Sequence, residues 1–266
     1  MLPVLFRIGP IPIYGYGFMI AMGFLTGLFV TRKLATRSGL DAEKIIDLSF
    51  WGLILGFVGA RALFIITRFS DYSSDPLSIF RLWEGGFVFF GGPMVAMPFG
   101  IWYMKKHRLP IWKSLDTMMP GLVLGHSFGR IGCLAAGCCY GKPTGTSWGI
   151  KFHSDLVEKS MQGINLHPTQ LYEASALFTL FLGLLWVYRH RKFDGQVALT
   201  YFMAYPIIRS IIETFRGDLI RGFVIDGVLS TSQFISILAF GIAAFALIYR
   251  LKQIADSSAP KRARAR

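Results

Sequence analysis

Arg130 closes an apolar run in Gly125-His126-Ser127-Phe128-Gly129-Arg130-Ile131-Gly132-Cys133. A guanidinium in hydrocarbon costs at least ~2.5–3.5 kcal/mol, so Arg130 is expected to face the protein interior or a wet cavity and to hold an anion there. Arg209 lies in another apolar run, with Glu213 one helical turn on and Arg216 a further turn along the same face. Guanidinium forks delivered by two helices match a phosphate better than lysines do, and a phospholipid headgroup is the expected ligand. The alternative is that these charges, with Arg61, Asp116 and Glu173, pair among themselves to fix helix packing.

Two further stretches carry polar groups at an apolar boundary. His167-Pro168-Thr169-Gln170-Leu171-Tyr172-Glu173 reads either as an interfacial belt opening a helix or as a second wall of the Arg130 pocket. Gly85-Gly86 and Gly91-Gly92 bracket an aromatic run, giving a turn and then a helix start, with close helix packing the simpler role for Gly91-Gly92. Cys133, Cys138 and Cys139 fit neither paired CxxC zinc ligands nor a redox CxxC, and they read as small buried hydrophobes. In an oxidising compartment Cys133 pairs with either Cys138 or Cys139, leaving one thiol over.

The elements that position these groups follow from composition. The chain has 266 residues, 53% hydrophobic and only 16% charged, against about 25% charged in soluble domains, so it is an integral membrane protein. Its net charge of +13 sits in short clusters between apolar runs, which points to anionic membrane lipids as partners and away from nucleic acid. Runs long enough to cross hydrocarbon recur near 14–31, 50–67, 87–104, 116–134, 173–188, 197–215 and 231–249. The expectation is an all-α polytopic protein of about seven transmembrane helices in a single integral membrane domain, 1–266. The first thirteen residues hold Pro3, Pro10 and Pro12 and no cleavage site, so no cleavable signal peptide is expected.

Alternate loops divide the basic residues unequally. Seventeen of the 28 Lys and Arg, from Arg32 to Arg266, fall on the side that includes the C-terminus, and eight on the other, which places the N-terminus outside and the C-terminus inside. Residues 135–172 then form a cap on the outer side, too short for a soluble domain, and 256–266 a disordered basic tail. No internal repeat or inverted pair of broken helices of the transporter kind is visible.

Taken together, Tyr14-Gly15, Gly59-Ala60-Arg61, the paired glycines, Asp116 with Pro120, Gly129-Arg130-Ile131-Gly132, Gly141-Lys142-Pro143-Thr144, His167-Pro168-x-Gln170-Leu171-Tyr172-Glu173 and Tyr205…Arg209…Glu213…Arg216 give the chain a resemblance to the prolipoprotein diacylglyceryl transferase family over nearly its whole length. The resemblance implies a multi-pass enzyme of the bacterial cytoplasmic (inner) membrane with its active site toward the outer leaflet. It would transfer the diacylglyceryl group of phosphatidylglycerol to the lipobox cysteine in a prolipoprotein signal peptide, forming a thioether and releasing glycerol phosphate. Arg130 and Arg209 match the family's essential arginines. Tyr14, Arg61, Gly141, Glu173, Tyr205, Glu213 and Arg216 match positions lining the site, with Glu213 orienting Arg209. No metal or organic cofactor is implied.

Two departures qualify the match. Phe90 stands where many members carry a histidine proposed to activate the thiol, which leaves His167, His126 or the field of the arginines for that role. Cys133-Leu134-Ala135-Ala136-Gly137 replaces a segment that usually carries two amides and a carboxylate. A lipid or anion transporter and a catalytically silent lipid-binding relative therefore stand as alternatives to the transferase.

Overall fold

The structure is a computed structural model, and it describes residues 4–9, 11–72, 75–81, 85–154, 156–217, 223–225 and 228–258. Seven long helices dominate these residues: α1 (Gly15–Arg37), α2 (Ala42–Thr67), α4 (Gly91–Lys106), α5 (Ile111–Ala136), α6 (Thr169–His190), α7 (Gln196–Thr214) and α8 (Thr231–Ser258), with a single-turn α3 (Phe69–Tyr72) after α2. The fold is that of an all-α polytopic membrane protein. Four helices, Gly15–Arg37, Ala42–Thr67, Thr169–His190 and Thr231–Asp256, are long and apolar enough to cross a membrane by length and composition. The others are diluted by what they carry: α4 has sixteen residues with Pro98 inside, α5 holds His126 and Arg130, and α7 holds Arg209 and Glu213. Of the tail expected over 256–266, residues 256–258 are the last of α8, not disordered, and 259–266 lie outside the described residues, as does Arg221.

The chain forms two compact units, Met1–Val30 with Met119–Arg266 and, separately, Thr31–Met118. In the second unit α1 ends at Arg37, Gly39 follows in the turn with a φ of +68° that suits a left-handed cap, and Leu40 N–H returns to Ala35 O at 3.0 Å. Asp41 then caps α2, accepting from Lys44 N–H at 3.2 Å. Ala35, Ile45, Leu48, Tyr103, Met104 and Leu109 bury one another beside this turn. Farther along, α2 and α4 touch backbone to backbone: a Cβ on Gly59 would stand 2.3 Å from Gly91 O. The packing role read for Gly91 is the one observed.

Also in this unit, Arg61 is 6% exposed and spends its donors on backbone. Its Nε donates to Ile79 O at 3.3 Å, Nη1 to Gly86 O at 3.1 Å and to Gly85 O, and Nη2 to Ser78 O at 3.1 Å. Gly85 and Gly86, at φ +80° and +81°, make the turn that presents those carbonyls. Phe90 precedes α4 half-exposed, its ring edge-on to Phe89.

In the first unit α1 meets α5 through Gly27, whose Cβ would stand 2.6 Å from Gly121 O. Between α5 and α6 the chain forms a small layer with its own core of Tyr140, Phe152, Val157 and Leu166, and strands β3 (Ile150–Lys151) and β4 (Asn165–Leu166) pair antiparallel. The preceding hairpin of β1 (Val4–Ile8) and β2 (Ile11–Tyr14) and the later pair β5 (Phe223–Ile225) and β6 (Leu229–Ser230) are likewise two-stranded.

Candidate active site

Three helices of the first unit bring charge to one place. α5 carries His126 and Arg130 four apart, hence on one face, and α7 carries Tyr205, Arg209 and Glu213 at the same interval. Between them stands Glu173 in the first turns of α6, with no exposed surface. One carboxylate oxygen lies 3.0 Å from Arg130 Nη2 and 4.0 Å from His126 Nε2; the other lies 4.0 Å from Arg209 Nη1. The anion that Arg130, largely enclosed with its side chain 14% exposed, demanded is thus supplied by the chain itself, and the same carboxylate faces both arginines.

Arg209 has further partners. Its Nη2 contacts the Glu213 carboxylate and donates to Ser232 Oγ of α8 at 3.2 Å. Arg216, 5% exposed, is near enough to act electrostatically on Arg209. Arg130 and Arg209 therefore share Glu173, and Arg209 has Glu213 besides. Among the described residues, Arg130 Nε and Arg209 Nη1 find no hydrogen-bond acceptor and the two Glu173 oxygens no donor in hydrogen-bond geometry. Tyr205 meets Arg130 and sets its ring edge-on to His126 at 5.3 Å, with Tyr201 stacked behind at 5.7 Å.

Neighbouring bonds hold this geometry. Ser127 Oγ, beside His126, donates to Ala174 O, beside Glu173, at 2.9 Å in a buried tie between α5 and α6. Thr169 Oγ1 and Gln170 Nε2 donate to the carbonyls of Cys139 and Cys138 at 2.7 and 2.6 Å, fixing the start of α6 against the chain leaving α5. Both side chains are buried, which is where their hydroxyl and amide gain most from a partner.

Gly141 joins the remaining members. Its N–H donates to His167 O at 2.9 Å, and it pairs as an antiparallel bridge with Arg216. A Cβ there would stand 2.6 Å from His167 Cβ and 2.7 Å from Phe215 O, so only glycine allows the two flanking segments to close on it. His167 itself faces Tyr172, Nδ1 to Oη 3.1 Å, and Trp148 Nε1–H donates to the same phenol at 2.9 Å.

Among the expected site residues, the structure brings Arg130, Glu173, Tyr205, Arg209, Glu213 and Arg216 together and hangs His167 on the Gly141 ribbon beside Arg216. Tyr14 ends β2 more than half exposed, and Arg61 is engaged by carbonyls of its own unit. Sequence reasoning missed the bridging role of Glu173 and the contact of Ser232. For Glu173 a signal existed, a carboxylate one turn into an apolar helix; for Ser232 there was none.

Charged groups buried between apolar helices, sharing one carboxylate across three of them, define a polytopic membrane protein with an internal arginine–carboxylate centre. Residues 3–249 match the family described as prolipoprotein diacylglyceryl transferase, and the chain belongs to that family, a family of bacterial membrane proteins. A phosphatidylglycerol–prolipoprotein diacylglyceryl transferase of Clostridium tetani (strain Massachusetts / E88) is 38% identical over 92% of this chain and 96% of its own. One from Clostridium perfringens (strain 13 / Type A), bearing the same name with the number 2, is 37% identical over 94% and 95%. A third, from Finegoldia magna, is 34% identical over 96% and 98%.

Proposed function

We propose that this protein transfers the diacylglyceryl group of phosphatidylglycerol to the lipobox cysteine of prolipoproteins, in the bacterial inner membrane and toward its outer leaflet. The observation that carries the reading is Glu173 held between Arg130 and Arg209: a centre that binds one oxyanion from two sides is shaped for a phosphate, whose oxygens are spaced much as a carboxylate's. The unsatisfied Arg130 Nε and Arg209 Nη1 are the donors such a phosphate would take up.

The peptide thiolate attacks the glycerol carbon that bears the phosphate ester. A C–S bond forms, the C–O bond breaks, its electron pair leaves with the phosphate, and the thiol proton passes to a base. Negative charge grows on the leaving oxygen, so Arg130 and Arg209, fixed in a water-poor interior, stabilise the transition state more than the ground state. Glu213 and Ser232 orient Arg209; Tyr205 orients Arg130. Tyr14, Gly141 and Arg216 serve substrate binding, Gly141 by holding Arg216 and His167 in register.

His167 is the proposed base. For Nε2 to accept the proton, Nδ1–H must donate to Tyr172 Oη, which has a lone pair left besides the one facing Trp148. That arrangement keeps the required tautomer without the histidine that Phe90 replaces.

The test is purified protein with phosphatidylglycerol and a lipobox peptide, scored by mass. The expected result is the diacylglyceryl adduct, with glycerol phosphate released in equal amount. Headgroup-dependent lipid binding without adduct would make the protein a silent relative. Lipid movement across liposomes without adduct would make it a transporter.

A further inference from the structure

Beyond the arginine centre, the three cysteines converge. The Sγ atoms of Cys133, Cys138 and Cys139 all lie within 4.8 Å of one another, and none is in a disulfide. Their spacing in the chain gives no hint of this. The convergence comes from the backbone: Gly137 at φ +78° ends α5, Cys138 N–H turns back to Cys133 O at 3.1 Å, and Cys139 takes φ +66°, a conformation that residues with a Cβ seldom adopt. Strain of this kind persists where the surroundings impose it. Here they do, since the carbonyls of Cys138 and Cys139 are each gripped by a buried side chain, Gln170 and Thr169.

We propose that Cys133, Cys138 and Cys139 form a trithiolate site for one soft, closed-shell metal cation of the zinc or copper(I) class. A metal at about 2.3 Å from each of three sulfurs in a plane sets them about 4.0 Å apart, inside the spacing observed. Thiolate is the ligand type that selects such ions. Three thiolates would carry more negative charge than the cation cancels, and Arg130 and Arg216 supply positive charge beside Cys139. Thr169 and Gln170 act as the outer supports that fix ligand-bearing backbone. The three sulfurs that would hold the metal are not among the atoms that grip the phosphate, although Arg130 borders both.

The experiment titrates cadmium, as probe ion, into the full protein in detergent under anaerobic, reducing conditions. It follows the ultraviolet thiolate-to-metal charge-transfer band and, in parallel, protection of each cysteine from iodoacetamide by mass. The expected result is saturation at one equivalent with all three thiols protected together, and loss of the band at equimolar metal in Cys133→Ser, Cys138→Ser and Cys139→Ser. Arg209→Lys, which under the proposed function cuts transfer about 100- to 1,000-fold, should keep the band unchanged, so the two readings fail separately. A band that survives in the Cys133→Ser/Cys138→Ser double variant overturns the proposal. So does wild-type protein whose three thiols alkylate at the same rate with and without cadmium, or a disulfide within the trio in protein prepared without reductant.

Discussion

Arg130 and Arg209 face one carboxylate, and mutants at either should tell the same story. Arg130→Lys and Arg209→Lys preserve a cation near Glu173 but lose the fork, so each should lower turnover about 100- to 1,000-fold with the fold retained, read by adduct formation and by thermal melting. Glu173→Gln is the opposite case. Removing the shared carboxylate leaves two buried guanidiniums facing each other, and breaking a buried ion pair costs roughly 3–5 kcal/mol, so the melting temperature should fall sharply. A melting temperature equal to wild type would mean that Glu173 is not what holds the arginines together. The arginines were legible in the sequence because a cation in an apolar run always needs an explanation. Glu173 was legible as a carboxylate one turn into an apolar helix, but its place between the two arginines was not, since nothing in a sequence says that a residue 43 positions from Arg130 along the chain faces it across a helix interface.

At the scale of elements, glycine decides where helices approach. Gly59→Ala forces a methyl against Gly91 O and should destabilise by about 1–3 kcal/mol, whereas Gly52→Ala, with open space around it in the same helix, should be neutral or mildly stabilising. Melting curves of the two variants in detergent give the comparison. The start of α2 offers a pH test. The side-chain and backbone bonds from Lys44 hold the Asp41 carboxyl below the usual carboxylate range. Its contribution is therefore present above that range and lost as the pH falls through the depressed value. The stability difference between wild type and Asp41→Ala should vanish in acid; a difference constant with pH would show that the cap works without its charge. The helices themselves were visible as apolar runs, and the observed bounds exceed the expected ones at most ends because amphipathic turns outside the hydrocarbon still hydrogen-bond as helix. The turn at Cys139 was invisible, because no residue type announces a left-handed cysteine.

For the molecule as a whole, the unequal division of basic residues predicts a direction in the membrane. Alkaline phosphatase fused after Arg266 should be inactive in intact cells, and the same enzyme inserted after Gly145 active; the reverse pattern would invert the orientation. Seven helices were countable from the sequence, yet among the described residues only four carry hydropathy that stands alone, because His126 and Arg130 lie on α5, Arg209 and Glu213 on α7, and α4 is short and holds Pro98. Arg61 leads to a different kind of consequence. It recognises a stretch of extramembrane chain purely through main-chain oxygens, which every amino acid possesses. Leu77, Ile79 and Phe80 can therefore drift in identity while their path stays pinned, whereas Ser78 and Arg81 also bond to Asp75, and a saturation scan should find position 61 less tolerant than positions 77, 79 and 80.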